Sequence, residues 1–371
     1  MLAPVVRKRL YPAAALRDFM IRVLVAAGAR PEDAEITAEV LLQADMRGVE
    51  SHGIIRLFPY YAHRLRNGLI NPRAELRVVS ESLATLVLDG DNGLGHPNGQ
   101  RAMQQCIARA QQCGVGVVTV RNSNHYGIAG YYAMQALPHN MIGLSFTNAR
   151  PLQAPTYGRT PMLGTNPIAV AAPSGQERPY VLDMATSIVP IGRVTVYEKA
   201  GLEIPYGWGV DSSGAVTTDP RAVFYGGALL PLGGTDVMRG YKGYGLALLV
   251  EILCGVLAGA AFGAGVDPDD RQQVSYIGHC FMALDVEAFR PLADFQRDMD
   301  ALLGQLKAAP KAAGHDRIYI HGEKEFERVD RSLREGVPVL AEVVNSLVAD
   351  GREAGIPFDL PLLGEVEEVE S

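Results

Sequence analysis

Apolar residues in the first 70 positions recur with the spacing of amphipathic helices. Between residues 11 and 29, one helical face carries Leu16, Phe19, Met20, Val23 and Leu24. Gly28 is suited to ending this helix, and a second helix is expected to begin at Pro31 and to end at Gly48. A third helix is predicted from Ser51, as its N-cap, to Gly68, with a kink or break at Pro59.

From about residue 78 the pattern changes to short apolar runs that alternate with segments of helical spacing. The runs are apolar enough for strands that are buried on both faces of a sheet. The predicted strands lie at 84–91, 114–123, 141–148, 167–175, 179–187 and 278–286. Helices are predicted at 101–114 and 127–137, and two amphipathic helices near 293–308 and 336–350. The turn-rich segment 199–223 is expected to form a long surface excursion.

This succession predicts an α/β protein with a helical N-terminal portion. We expect that portion to cover residues 1–75 and an α/β body to cover 76–350, followed by a C-terminal tail over 351–371. The acidic end of the tail, GEVEEVES at 364–371, is expected to be solvated.

Charge and cysteine content narrow the function class. The net charge is −7 without a concentrated basic face, which makes a nucleic-acid partner improbable on electrostatic grounds. The first 12 residues carry charges where a signal peptide needs apolar residues, and the four cysteines form no CxxC pair. We therefore expect a cytoplasmic protein with reduced, buried thiols.

The segment 245–263 is apolar and about long enough to span a bilayer. Glu251 lies inside it, and a charged side chain near a bilayer centre costs about 2.5–3.5 kcal/mol. The small residues Gly255 and Gly259 suit close packing in a core or subunit interface. We expect no membrane span.

Three clusters place reactive side chains beside glycines, as ligand-binding loops often do. The first is Ser51-His52-Gly53 with Arg56, in which the spacing puts His52 and Arg56 on one face of the expected helix. The planar fork of an arginine grips a carboxylate in bidentate fashion, so this pair could hold an acid substrate. A capped helix start with a surface arginine explains the same spacing equally well.

The other two clusters are 122–127, which contains His125, and 239–245, which contains Lys242. His125 follows a predicted strand at a strand-to-helix turn, where open α/β sheets bind ligands, and histidine is the natural proton donor near neutral pH. Lys242 precedes a long helix and could contact a phosphate or ribose. Structural roles for both side chains remain open at this stage.

Several common motifs are missing. The glycines of residues 90–99 do not fit the dinucleotide fingerprint, which argues against a Rossmann fold. The sequence has no Walker A motif, no HExxH or other metal-binding spacing, and no GxSxG elbow. A hydrolase or lyase that uses His52 and His125 with an unrecognised metal is the alternative, and a membrane-associated protein a more remote one.

Seven ordered motifs resemble the malate/L-lactate dehydrogenase family of the non-Rossmann type. They are SHGIIR (51–56), NSNHYG (122–127), GTNPIAVAAP (164–173), DMATS (183–187), TTDP (217–220), LLPLGG (229–234) and KGYGLALLVE (242–251). Relatives in that family include ureidoglycolate, sulfolactate and diketogulonate oxidoreductases and a piperideine-2-carboxylate reductase. The resemblance implies a mixed-sheet, sulfolactate dehydrogenase-like fold with its nucleotide-binding part at roughly 120–290, and a homodimer. It also implies NAD or NADP as cofactor, a small 2-oxo or cyclic 2-imino acid as substrate, and no metal.

The same resemblance implies roles for individual residues. His125 corresponds to the catalytic acid/base, with His52 as a second catalytic candidate. The substrate-binding set is Ser51, His52, Arg56, Thr165 and Asn166, and the cofactor-binding set is Asp183, Met184, Ala185, Lys242, Gly322 and Glu323.

The sequence also departs from the family pattern. His321 precedes Gly322 and Glu323 where proline is frequent, and Arg193 stands where lysine is frequent. Arg150, in a stretch that varies with substrate, could select a second acidic group.

Overall fold

The computed structural model describes residues 5–267 and 272–369. The helices are α1 (Ala13–Ala26), α2 (Pro31–Met46), α3 (His63–Arg66), α4 (Gly95–Cys113), α5 (Ala129–Met134), α6 (Ile191–Ala200), α7 (Pro220–Phe224), α8 (Tyr241–Glu251), α9 (Leu292–Ala308), α10 (Glu323–Glu335) and α11 (Ala341–Glu353). The strands are β1 (Val5–Tyr11), β2 (Arg77–Glu81), β3 (Thr85–Asp89), β4 (Val115–Ser123), β5 (Met141–Thr147), β6 (Ile168–Ala172), β7 (Tyr180–Met184), β8 (Gly209–Val210), β9 (Val216–Thr217), β10 (Ala228–Leu229), β11 (Ile277–Asp285), β12 (Val337–Leu340) and β13 (Gly364–Val369).

A seven-stranded sheet forms the centre of the molecule, in the order β2-β3-β4-β11-β5-β6-β7. Within this sheet, as far as the structure describes it, only β3 and β4 run parallel. A Rossmann fold requires a mostly parallel sheet, so the prediction of a non-Rossmann mixed sheet is confirmed. The six predicted strands correspond to β3, β4, β5, β6, β7 and β11.

Both faces of the central sheet are covered, as the apolar strands predicted. On one face, α4 and α5 pack against the sheet around Met103, Tyr132 and Phe281. On the other, α8 and the turn after it pack through Val250 and Cys254. Three of the four cysteines are buried, as expected, but Cys113 is exposed at the end of α4.

The N-terminal helices form a second core. α1 buries the predicted face, and Gly28 and Gly48 both adopt positive φ directly after their helices, as the sequence predicted. The segment that follows differs from the prediction. Residues 50–56 form two 3₁₀ turns and Leu57–Ala62 a π-helical turn, so α3 covers only four residues.

The predicted start of the third helix at Ser51 is wrong, whereas the predicted break at Pro59 is confirmed, and two residues explain both results. Gly53 adopts a non-helical conformation (φ −92°, ψ −149°) against Asp45, whose carboxylate accepts a hydrogen bond from the backbone N–H of Ile54 (2.8 Å). A side chain at Gly53 would collide with that carboxylate. Pro59 lacks the N–H that an α-helix requires, and the backbone widens to a π-helical turn around it. Ser51 makes no capping hydrogen bond to this segment.

The two chain ends meet in a small sheet of order β12-β1-β13. The expectation of a tail is therefore wrong for residues 364–369, which form a strand because β1 offers Arg7 and Arg9 directly opposite Glu367 and Glu365. Glu365 and Glu367 are nevertheless exposed to solvent, as expected. The predicted helix at 336–350 is also shifted. β12 occupies 337–340 and α11 begins at Ala341, while α10 was not predicted.

Two segments of unusual composition, 199–223 and 245–263, contain short regular elements. Within the predicted excursion 199–223, β8 and β9 pair, and β10 completes their three-stranded sheet. The apolar segment 245–263 is a short α8 followed by a π-helical turn at Ile252–Val256. No helix within 5–267 or 272–369 is both long and apolar enough to cross a bilayer.

Candidate active site

The loop that carries His125 leaves the centre of the sheet after β4. Asn124 is fully buried, and its amide nitrogen donates to the backbone oxygens of Asn92 (3.1 Å) and Gly93 (2.9 Å). Gly95, at the start of α4, packs so tightly against the carbonyls of Asn124 and His125 that a side chain there would overlap them. The backbone at His125 is thus fixed from two sides.

The His125 ring is held through Nδ1. The Tyr61 hydroxyl lies 2.6 Å from this nitrogen, and the backbone N–H of Gly127 donates to it at 3.3 Å. Because a hydroxyl can either donate or accept, Tyr61 can pair with Nδ1 in the neutral ring and in the imidazolium. Nε2 makes no hydrogen bond within the described parts of the chain. This nitrogen is the one available to exchange a proton with a ligand.

Ser51, His52 and Arg56 converge on His125. The rings of His52 and His125 stack with centroids 5.4 Å apart. Ser51 Oγ lies 2.9 Å from His52 Nδ1, and Arg56 Nε donates to the Ser51 carbonyl at 2.6 Å. The terminal nitrogens of Arg56 make no hydrogen bond to any residue the structure describes, so its fork can receive a carboxylate.

Arg56 places a positive charge near His125. Burial lowers the pKa of His125 well below its usual value, and Arg56, His52, His96 and His279 lower it further. Burial and Arg56 likewise lower the pKa of His52 to about 3. A negative ligand would relieve this repulsion, so the arrangement favours an anion beside the imidazole.

The Asn166 side chain, predicted to lie near the substrate or cofactor, is fully engaged. Its Oδ1 accepts from the Ala149 N–H (3.1 Å), and its Nδ2 donates to the Ala247 carbonyl (3.0 Å) and to Glu251 (2.9 Å). It therefore joins the loop after β5 to α8.

Thr165, its neighbour, is partly exposed. Its carbonyl accepts hydrogen bonds from the N–H (2.8 Å) and hydroxyl (3.0 Å) of Thr186. These bonds join the GTNP turn to the DMATS segment.

The predicted cofactor contacts Asp183, Met184 and Ala185 lie at the end of the edge strand β7. Asp183 is exposed and accepts a hydrogen bond from the N–H of Gly130 at the start of α5 (2.7 Å). Lys242 is exposed in the first turn of α8.

A short chain of contacts connects these two places. Gly243, next to Lys242, packs closely against the backbone of Leu232, and the Leu232 N–H donates to the Thr186 carbonyl (2.8 Å). The DMATS segment and the start of α8 are therefore neighbours.

Gly322 and Glu323 both lie beside β7, but they differ in whether they are available to contact a cofactor. Gly322 has a φ of +95°, and a side chain there would press on Val181. The Glu323 carboxylate is buried, pairs with Lys307 (2.6 Å) and Arg317 (3.2 Å), and accepts from the Ile320 N–H (3.0 Å). This carboxylate is held in a structural ion-pair network.

The two arginines that depart from the family pattern lie on different elements. Arg193 is in the first turn of α6. Arg150 is exposed three residues after the end of β5.

Sequence reasoning missed Tyr61 and Arg64. Arg64 is fully buried, donates to Ser275 Oγ (2.7 Å) and Asn124 Oδ1 (3.3 Å), and lies 5.1 Å from the Tyr60 ring centroid. In the expected helix this arginine would be a surface residue, so its spacing gave no signal. The only feature of the sequence that pointed to Tyr61 was the pair of adjacent tyrosines, Tyr60 and Tyr61, after Pro59.

No group of three or more histidine, cysteine or acidic side chains within 5–267 and 272–369 is arranged to hold a metal ion. The geometry instead joins an imidazole and a free guanidinium fork.

A family model for malate/L-lactate dehydrogenase matches residues 11–348. The chain is 44% identical over 346 residues to a malate dehydrogenase from Pyrococcus abyssi, covering 93% of this chain and 95% of that protein.

The chain belongs to the malate/L-lactate dehydrogenase family.

Two further relatives extend the family assignment. The solved structure of sulfolactate dehydrogenase from Methanocaldococcus jannaschii superimposes with a TM-score of 0.86 at 39% identity, covering 94% of this chain and 98% of that one. Ureidoglycolate dehydrogenase (NAD(+)) from Escherichia coli is 33% identical over 337 residues, covering 90% of this chain and 94% of that protein. The predicted family and its sulfolactate dehydrogenase-like fold are confirmed, and the chain is a hydroxy-acid oxidoreductase.

The buried histidines of this dehydrogenase should make its stability depend on pH. Burial lowers the pKa of His96 and of His279 to about 3, whereas an unfolded imidazole takes up its proton near pH 6.5. Since the unfolded chain binds more protons below about pH 6.5, stability is complete above that pH and is lost as the pH falls. The expected slope is up to about 1.4 kcal/mol per pH unit for each ring.

Urea unfolding between about pH 5 and pH 7.5 measures this slope. His96→Phe keeps an aromatic ring against Tyr61 and removes one titrating group, so its slope should be smaller by about one proton. Equal slopes in the two proteins would contradict the assignment to His96.

Proposed function

We propose that the protein catalyses the reversible, NAD(P)-dependent reduction of a small 2-oxo acid, or a cyclic 2-imino acid, to the corresponding 2-hydroxy or amino acid. The observation that carries this proposal is the arrangement of His125. Its Nδ1 is held by Tyr61, its Nε2 is available, and the free fork of Arg56 belongs to the same cluster.

In the reductive direction, His125 is the proton donor. A reduced nicotinamide, when bound, would supply a hydride to the carbonyl carbon, and the carbonyl oxygen would then gain negative charge. The imidazolium of His125 gives its Nε2 proton to that oxygen, while Nδ1–H donates to the Tyr61 hydroxyl. The Gly127 N–H donates to Nδ1 only when that nitrogen carries no proton, that is, in the neutral Nε2–H tautomer. Arg56 binds the substrate carboxylate and so orients the carbonyl.

The substrate also supplies a charge that the site lacks. The neighbours that act on His125 are cationic or imidazole groups, which disfavour its protonated form. A carboxylate bound by Arg56 offsets that repulsion and raises the pKa of the imidazole. Protonation of His125 is therefore coupled to binding of an acid.

The exposed groups near β7 fit a nicotinamide cofactor, NAD or NADP. Asp183 presents a carboxylate that suits ribose hydroxyls, and Lys242 presents an ammonium that suits a pyrophosphate. Backbone groups that suit further contacts with the cofactor are those of Met184, Ala185 and Gly322, at the same edge of the central sheet. Glu323 fits less well, because its oxygens already bind Lys307 and Arg317.

We propose that the substrate carries a second anionic group. The malate and sulfolactate dehydrogenases to which the chain is similar are named for acids that have one. His279 hydrogen-bonds both Thr147 at the end of β5 (2.8 Å) and Ser123 at the end of β4 (2.9 Å). His125 follows β4 and Arg150 follows β5, and these two strands end at the same edge of the sheet. The guanidinium of Arg150 and the acid/base His125 are therefore carried by loops at one edge.

A homodimer accounts for the apolar face of α8 and the turn after it. Exposed side chains repeat along that face: Leu248, Leu249, Ile252, Val256 and Leu257. Such a stripe of exposed apolar side chains suits an interface, and a two-fold dimer would cover it with its own copy. A cytoplasmic location stays a prediction, which the free cysteines suit.

The activity is tested by the loss of near-ultraviolet absorbance of NADH or NADPH with a panel of 2-oxo acids. His125→Ala should lower kcat by about 10² or more, because the general acid is lost. His139→Ala is the control and should retain wild-type kcat, because His139 is exposed on a 3₁₀ turn and its ring contacts Gln111 (3.4 Å). No cofactor oxidation across the panel, or a near-normal kcat in His125→Ala, would contradict the proposal.

Substitutions of Arg150 and Arg56 should differ in how they change kcat/KM for dianionic and monoanionic substrates. Arg150→Gln should lower kcat/KM for a dianionic substrate by about tenfold and leave a monoanionic 2-oxo acid nearly unchanged, since one charge contact is lost. Arg56→Lys should lower kcat/KM for both substrates, because the bidentate fork is lost. Equal effects of Arg150→Gln on both substrates would exclude its role in selection.

The dimer is tested by light scattering after size exclusion. The wild type should have twice the mass of the chain, and Leu249→Glu should shift it toward the monomer because a charge would be buried at the interface. Leu302→Glu, on the exposed face of α9, is the matched control and should remain dimeric. A monomeric wild type would rule out the proposal.

A further inference from the structure

The paired strands β1 and β13 carry opposite charges, and basic residues of β1 lie opposite acidic residues of β13. β1 contains Arg7, Lys8 and Arg9, and β13 contains three glutamates. Arg7 and Arg9 face Glu367 and Glu365 across the strands, at 3.7 Å and 3.0 Å. These pairs are exposed or nearly so, and exposed pairs contribute little.

Lys8 has a different environment, because successive side chains of a strand point to opposite faces. It is 8% exposed, and its ammonium contacts Glu50 and, at 2.9 Å, Glu368 of β13. Burial alone lowers the pKa of Lys8, but the bonds and charges of the two glutamates outweigh it and the net shift is upward. Lys8 is a charged link between β13 and Glu50.

Glu50 begins the 3₁₀ turn that contains Ser51 and His52. Its carbonyl accepts from the Gly53 N–H (3.1 Å), so a displacement of Glu50 moves this turn. The His52 N–H donates to the Val49 carbonyl (2.9 Å), which is the other backbone hydrogen bond of this turn. The family model matches residues 11–348, so Lys8 and β13 lie outside the matched part.

We infer that Lys8, bound between Glu50 and Glu368, is a positioning residue that holds residues 50–56 in place beside His125. β13 contributes by closing the outer side of Lys8. The consequence for substrate binding rests on the proposed role of Arg56, whereas the link between Lys8 and the turn does not.

The link is tested by hydrogen exchange with mass-spectrometric detection of peptides that cover residues 50–56. Lys8→Met keeps the aliphatic stem and removes the charge, and it should accelerate exchange there by about fivefold or more, since local opening becomes easier. Arg7→Met removes a neighbouring exposed charge on the same strand and should leave this exchange unchanged. Unchanged exchange in Lys8→Met, or equal acceleration in both variants, would overturn the inference.

Kinetics provide the second readout. Lys8→Met should raise KM for the acid substrate by about tenfold, with kcat and the KM for the cofactor within about twofold of wild type. Lys8→Arg should restore most of the loss, because it keeps the charge. Faster exchange with an unchanged substrate KM would support the Lys8 link and contradict the proposed function of Arg56.

Glu368→Gln tests the same link if Lys8→Met does not fold. It removes one of the two negative partners, and it should accelerate exchange in 50–56, whereas Glu367→Gln on the exposed side should not. An equal response of these two variants would overturn the role of β13.

Discussion

The hydrogen bond between the Tyr61 hydroxyl and His125 Nδ1 joins the two halves of the site. Tyr61 comes from the irregular segment after the N-terminal helices, and His125 from the loop after the central strand β4. Neither segment alone carries all the side chains of the candidate active site. The stacking of His52 on His125 and the location of Arg56 depend on the same contact between the segments.

A hydroxyl in this position has different consequences from a carboxylate. A carboxylate beside an imidazole stabilises the imidazolium permanently, whereas a tyrosine hydroxyl is neutral and adapts to either protonation state. The pKa of Tyr61 is raised by burial, so the hydroxyl keeps its proton. The charge that balances a protonated His125 then has to come from the ligand, which suits a site for acids.

The sequence was a good guide wherever a repeating pattern determined the structure. The buried strands of the sheet and the first two helices followed from apolar spacing, and His125 followed from its place after a strand. The cluster around His52 and Arg56 was found from its spacing, and family resemblance supplied the roles proposed for its residues. The break at Pro59 was predicted from its missing N–H, and the structure confirms it. The turns before it were mispredicted because Gly53 acts locally, through a contact with Asp45.

Other features could not be read from local pattern at all. The acidic end becomes a strand because the complementary charges lie some 360 positions earlier in the chain. Tyr61 and Arg64 gain their roles from neighbours that are distant in sequence. Glu323 matched the family pattern, yet its carboxylate is occupied by Lys307 and Arg317, which periodicity does not reveal.

The position of β11 in the sheet has a consequence for how the protein forms. β11 lies between β4 and β5, although residues 277–285 are made long after both. During synthesis, the loop of His125 emerges more than 150 residues before its neighbour His279. Such distant pairing makes folding slow, so a nascent chain that stops short of β11 exposes the unpaired edges of two apolar strands.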